Sequence, residues 1–255
     1  MDDNYLMKPN KVSKNVLKDL KKQGIKNIEL EVQSANNYIL KHSGLEYTLD
    51  DIKHASKLIK RKGFKLGFRI MVGLPESTKL DDLNTAKELS KLRPKMVRIS
   101  PVVVVKDTKL AEEYLSGDFE PISLNQAVER CKNIVYECNR KKIKSIIIGL
   151  PTIDSRIEDK KNQGIIAGPY DENFATMVEE SIWYDSIVDK IKKVNAKVKQ
   201  VQVKVNPQEY NNVIGIDEIN LKKIKEVYNV DVKVVKDEEI QLGKSKIDIL
   251  SNYED

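Results

Sequence analysis

"IELEVQSANNYILKHSGLEYTLDDIKHASKLI", Ile28 to Ile59, runs from an apolar stretch into Gln33 and Ser34 and then into two helical patterns. A strand that ends in polar side chains and hands over to helices delivers those side chains to a site at its C-terminal end. The second helical pattern opens with Thr48 as N-cap and with Asp50 and Asp51 in the first turn, where carboxylates favour the helix dipole, and it stops at Gly63.

The same alternation extends in both directions. Upstream, Val12, Val16, Leu17 and Leu20 fall at helical spacing and Gly24 ends the pattern. Downstream, "KLGFRIMVGLP" is a strand, "KLDDLNTAKELSKLRP" a helix, "KMVRISPVVVV" a strand, "SLNQAVERCKNIVYECNRKK" a helix and "IKSIIIGLP" a strand. Apolar strands separated by helices specify parallel pairing through right-handed crossovers, hence an α/β barrel or open sheet. Polar and turn residues gather after the strands, at Gln33 and Ser34, Gly73 to Pro75, Ser100 and Pro101, and Gly149 to Pro151. Gly-Leu-Pro at a strand end is also plain turn chemistry.

Beyond Pro151 the character changes to a polar loop, then a long helix through "ESIWYDSIVDKIKKV", in which Trp183 and Tyr184 are read as core. From about Lys197 a compact unit begins. Val201, Val203 and Val205 alternate with Gln202 and Lys204 as in a strand with one wet face, two short helices flank Gly215, and "VDVKVVK" closes the unit. The expected domains are 1–195 and 196–255.

The 255 residues are 40% hydrophobic and 33% charged, which describes a globular chain. No stretch approaches the roughly 18 apolar residues of a membrane span, and "MDDNYLMKPNK" lacks the features of a secretion signal, so a cytoplasmic protein without a membrane partner is expected. Cys131 and Cys138 lie seven residues apart on one helical face, too distant for a disulfide and too sparse for a metal cage. His42 and His54 carry no pattern that points to catalysis. The net charge of +6 permits attraction to nucleic acid.

"IELEVQS", "LDDIKHASKLIKRKGFKLGFRIMVGLP", "MVRISPVVVVKDTKL", "PISLNQAVE" and "IIAGPYDENFATMVEESIW" resemble, in order and spacing, the latter half of radical-SAM proteins of the Elongator catalytic-subunit type. The resemblance implies an incomplete parallel (β/α) barrel followed by a small KH-like α/β unit. In the family a Cys-x-x-x-Cys-x-x-Cys loop holds a [4Fe–4S] cluster that binds S-adenosylmethionine. This chain has no such loop and aligns from the family's third unit onward, so no cofactor, metal or catalytic residue is expected within it.

Positions that match the family's site have changed. Lys8, Pro9 and Asn10 stand for Arg-Pro-Asp, Glu31 for a glycine, and Ser43, Gly44, Leu45, Glu46, Tyr47 and Thr48 for Ser-Arg-Arg-Gly-His-Thr. Arg69 stands for Gln, Ser100 for Tyr, Asp107 for Gly and Ile147 for Arg, while Asp171 and Glu172 replace His-Pro. Strand interiors and turns are kept and strand-end polar residues are altered, the pattern of a fold retained without its chemistry.

Three readings follow: a catalytically degenerate binding or scaffold protein related to tRNA-modifying enzymes, a piece of a radical-SAM enzyme whose cluster-bearing part lies outside this chain, and an RNA-binding module. Gln33, Ser34, Arg69 and Arg98 are the cofactor-binding candidates, although Arg98 has Glu29 and Glu31 within reach as structural partners. Lys204, Lys222, Lys223 and Lys225 are the RNA-binding candidates, because the turn at Gly215 carries Asp217 and Glu218 where a KH module has its second glycine. Possible partners are tRNA or another RNA, together with a second copy or another protein covering the open barrel edge. The segment from Tyr5 to Val12 is the alternative cover for that edge.

Overall fold

The computed structural model describes residues 4–149, 164–194 and 198–252. The strand-end turn expected over Gly149 to Pro151 is described only at Gly149; the polar loop from Thr152 and the expected boundary at 195/196 lie outside the described residues. The chain divides into two compact units, up to Phe174 and from Ala175.

In the first unit the elements are β1 (Asn4–Met7), α1 (Lys14–Lys22), β2 (Asn27–Gln33), α2 (Asn37–His42), α3 (Leu49–Arg61), β3 (Lys65–Val72), α4 (Lys79–Lys91), β4 (Met96–Pro101), β5 (Val104–Val105), α5 (Lys109–Ser116), α6 (Leu124–Arg140), β6 (Lys144–Ile147) and β7 (Ile165–Ala167). Local chemistry sets their starts. Thr48 with Asp51, Thr78 with Asp81 and Ser123 with Gln126 form reciprocal capping boxes that satisfy the first amides of α3, α4 and α6.

Five strands pair in parallel in the order β1-β2-β3-β4-β6, and β5 pairs antiparallel with β7. A parallel sheet whose strands follow in chain order winds in one sense, so its crossover helices fall on one face. That face carries Leu30 and Val32 of β2, Phe68 and Ile70 of β3 and Ile99 of β4, all essentially inaccessible. Each such burial contributes roughly 1.5–3 kcal/mol before chain entropy is counted. The other face presents Glu29, Glu31, Arg69 and Arg98, offset by one residue from the apolar set.

β1 lies along β2, with Tyr5 opposite Ile28 and Met7 opposite Leu30. The N-terminal segment therefore covers the β2 edge, and the free edge moves one strand outward.

The second unit comprises α7 (Phe174–Lys193), β8 (Val198–Val205), α8 (Tyr210–Ile214), α9 (Ile219–Tyr228), β9 (Asp231–Lys236) and β10 (Ser245–Asn252). Val201, Val203 and Val205 of β8 share a core with Trp183 and Ile187 of α7 and Ile224 of α9. β8 is the central strand, parallel to β9 and antiparallel to β10. The expectation that β9 closes the unit is corrected: β10 adds a strand on the other side, and its alternation of Ile247 and Ile249 with Lys246 and Asp248 is the strand signal in the sequence.

Candidate functional site

The polar face of the parallel sheet is laid out in rows. Glu31, Arg69 and Arg98 are in register across β2, β3 and β4, and Glu29, Gly67 and Met96 form the row below. Arg98 Nε lies 2.8 Å from Glu29 Oε1 and donates a hydrogen bond to Oε2 at 3.1 Å. The two residues sit on strands separated by β3, so the pair must bridge roughly 10 Å of backbone. Gly67 makes that possible: a Cβ there would lie 3.5 Å from Glu29 Cγ and 3.0 Å from Met96 Cγ.

Glu29 is 2% exposed, and burial raises its pKa against the opposing pull of Arg98 and Arg69. Arg69 is beside Arg98 in the register, and its Nε is buried without a hydrogen-bond partner among the described residues.

At the strand ends the sequence candidates are held in place. β2 loses its regular register between Glu31 and Gln33, and Gln33 takes a left-handed conformation with φ of 58°. Ser34 is buried, its hydroxyl 3.3 Å from Thr85 Oγ1 and accepting the Asn36 N–H at 3.1 Å; the Ala35 N–H donates to the same Thr85 oxygen. Tyr47, absent from the sequence candidates, donates its hydroxyl to the carbonyls of Glu31 and Val32 at 2.9 and 3.1 Å. Burial holds that phenol well above its ordinary pKa. The Gly73 N–H, next strand along, donates to Asp82, which pairs with Arg130 at 3.0 Å; burial pushes the Asp82 carboxyl up to about 6.

Above these strand ends is a cavity of about 190 Å³ lined by Gln33, Ser43, Met71, Leu74, Val102 and Leu110, among others. The Ser43 hydroxyl is buried without a hydrogen-bond partner among the described residues. Lys109 and Glu113 at the cavity pair at 3.0 Å. Cofactor pockets usually run to roughly 300–1,000 Å³. The cavity is smaller, Ser34 is committed to Thr85 and Asn36, and Arg98 to Glu29, so Ser34 and Arg98 are not free to hold S-adenosylmethionine. Cys131 and Cys138 are both buried in α6, and burial pushes the Cys138 thiol to about 11, away from the thiolate form that ligates metal. Among the described residues no three His, Cys, Asp or Glu side chains are grouped to hold an ion.

The RNA candidates do not share one surface. Lys204 alternates with the buried valines of β8 and so lies on the sheet face opposite the core that holds α9, paired with Asp248 at 3.1 Å. Lys222 and Lys223 are exposed on α9, and Lys225 pairs with Asp231 at 2.8 Å. In the turn before α9, Asp217 and Glu218 adopt φ of 52° and 59°, and the Ile216 N–H donates to the buried Glu180 carboxylate at 2.8 Å. An internal carboxylate thus takes an amide that an anion-binding turn would offer outward.

Residues 94–184 match the Radical_SAM C-terminal domain. The tRNA uridine(34) acetyltransferases of Methanocaldococcus infernus and Methanocaldococcus jannaschii are 32% and 30% identical over 125 residues, 48% of this chain and 23% of each of theirs. An uncharacterized protein of Methanocaldococcus jannaschii is 36% identical over 101 residues, 40% of this chain and 31% of its own. The structure of the archaeal Methanocaldococcus infernus Elp3 with an N-terminal deletion superposes with a TM-score of 0.60 at 24% identity, covering 81% of this chain and 45% of that one.

The alignments span less than a quarter of either acetyltransferase. The resemblance to radical-SAM proteins of the Elongator catalytic-subunit type is upheld, and the open sheet is an incomplete α/β barrel of radical-SAM type. No helix among the described residues is long and apolar enough to cross a membrane.

Proposed function

We propose that this chain is a catalytically degenerate relative of tRNA-modifying radical-SAM enzymes and acts as a binding or scaffold protein for RNA. The observation that carries the reading is the closure of the polar sheet face on itself: Arg98 is bonded to Glu29 across Gly67, and Ser34 is bonded to Thr85 at the strand end. Arg98 and Ser34 thus spend donors on structural partners, while the Arg69 Nε on the same face is buried without one among the described residues. The name of the related acetyltransferases makes tRNA the RNA to test first.

Protein association through the free edge of β1 belongs to the same proposal, since Tyr5 and Leu6 there are 41% and 39% exposed. Sedimentation of the Leu6→Lys variant should show less association than the wild type, and identical monomeric behaviour of both would remove this part.

The test of the main reading is equilibrium binding of bulk tRNA and of S-adenosylmethionine to the same preparation. The proposal expects salt-sensitive retention of tRNA and no saturable binding of S-adenosylmethionine. Saturable binding of S-adenosylmethionine would replace it with the reading of the chain as part of a working enzyme. Absence of RNA retention at low salt would remove the RNA role.

A further inference from the structure

The strands of the parallel sheet enter through lysines. Lys26 immediately precedes β2, Lys65 opens β3, Lys95 immediately precedes β4 and Lys144 opens β6, and all four are exposed. Parallel pairing sets these starts along one edge, with Asn27 beside Lys65 and Met96 beside Lys144, at the end of the sheet away from Gln33 and Ser34.

Where α4 and α6 end beside the starts of β4 and β6, a cavity of about 520 Å³ is lined by Ser90, Lys91, Arg93, Lys95, Lys141 and Lys142 together with Pro94 and Ile143. Lys91 is paired with Glu88. Arg93, Lys95, Lys141 and Lys142 have no carboxylate partner among the described residues.

Cations at a helix C-terminus commonly answer the helix dipole. Each helix end carries a partial charge of about −0.5, and two ends together make about −1. Four unpaired cations exceed this by about three charges.

Two further observations separate the cavity from a solvated charge cluster. Ser90 is 6% exposed, and its hydroxyl, at the cavity wall, is buried without a hydrogen-bond partner among the described residues. An unpaired buried hydroxyl costs about 1–3 kcal/mol unless something meets it. Arg93 and Lys142 adopt φ of 48° and 55° just past their helices, a conformation glycine would take without steric cost. At both places the chain carries a cation instead.

We propose that this strand-entry rim binds the phosphate backbone of RNA. From β2 to β6 the rim spans roughly 14 Å, three strand spacings, which exceeds one phosphate and suits a repeating phosphodiester. No aromatic side chain lines the cavity, so contact is to the backbone and independent of base sequence. The choice of RNA among polyanions rests on the proposed function; the anion site itself rests on the unpaired cations of the rim and the buried Ser90 hydroxyl.

The experiment is fluorescence anisotropy of labelled bulk tRNA with the full chain over a salt series. The rim variant combines Arg93→Gln, Lys95→Gln, Lys141→Gln and Lys142→Gln. A charge-matched variant of the second unit combines Lys222→Gln, Lys223→Gln, Lys233→Gln and Lys246→Gln. All eight side chains are exposed, and unchanged circular dichroism melts are expected for both variants.

The rim variant should lower the slope of log affinity against log salt by about 3 and weaken binding at least about tenfold near 0.1 M salt. The matched variant should lose no more than a few-fold, and Ser90→Ala alone should weaken binding several-fold without lowering the stability of the RNA-free chain. Equal loss in the two charge variants, or loss confined to the matched one, overturns the assignment to the rim and leaves the proposed RNA role standing. Wild-type protein that holds heparin as tightly as tRNA overturns RNA as the ligand class. Wild-type protein that holds no RNA at low salt overturns both this inference and the proposed RNA role.

Discussion

Gly67 is a glycine for space rather than for backbone freedom. Valine there would occupy the gap through which Glu29 reaches Arg98, so Gly67→Val should destabilise the chain by about 1–3 kcal/mol in urea unfolding, and Gly67→Ala by less, since Met96 has a side chain that can move aside. If both variants unfold like the wild type, the gap has no role. Arg98→Met leaves Glu29 buried without its partner and should cost about 3–5 kcal/mol near neutral pH. Because the Glu29 pKa is already raised, the variant can protonate it as pH falls, so the deficit should shrink on acidification and grow as pH rises. A deficit independent of pH would mean that Glu29 is not the group left exposed to that loss.

At the scale of elements, the junctions after β2 and β3 show what a sequence reveals and what it conceals. Strand and helix patterns were legible because period and caps are local: Thr48, read as an N-cap, accepts the Asp51 N–H. β1 and α5 went unread, β1 because four residues hold too little periodicity, α5 because Asp107 at its entry was read only for its likeness to a site motif. Asp107 takes a left-handed backbone, φ of 61°, and Thr108 accepts the Ala111 N–H as the α5 cap.

The structural ties at the site join residues too far apart in sequence for any spacing rule to find. Tyr47 reaches back to Glu31 and Val32, and Asp82 joins Gly73 to Arg130. Glu29 as a partner for Arg98 was readable from alternation along two strands; Gly67 as the gap between them was not.

Tyr47→Phe removes two bonds to carbonyls and should cost about 1–2 kcal/mol in urea unfolding; an unchanged midpoint would show that the β2 end is held otherwise. Asp82 has its folded pKa raised to about 6, so its contribution is full below its unfolded pKa and is lost as pH rises through about 6. The stability of Asp82→Asn relative to wild type should therefore improve between about pH 4 and pH 7; a difference flat across that window would contradict the raised pKa.

Across the whole molecule, the two units divide the polar chemistry between them. The first keeps a parallel radical-SAM-type sheet with Ser34 bonded to Thr85 at its C-terminal edge, the Arg98–Glu29 pair on its polar face and exposed cations along its N-terminal edge. The second pairs Lys204 and Lys225 with carboxylates and leaves Lys222 and Lys223 exposed. The long helix with Trp183 packs in the second core.

The central claim, that the polar groups of the sheet face are structural, is tested most directly by urea unfolding of wild type and Arg98→Met with and without about 1 mM S-adenosylmethionine, since a ligand bound only by the folded state raises its midpoint. The account predicts a wild-type midpoint that the ligand does not move and a variant midpoint lowered in its absence. A wild-type midpoint raised by the ligand, with the variant equal to wild type when the ligand is left out, would contradict it.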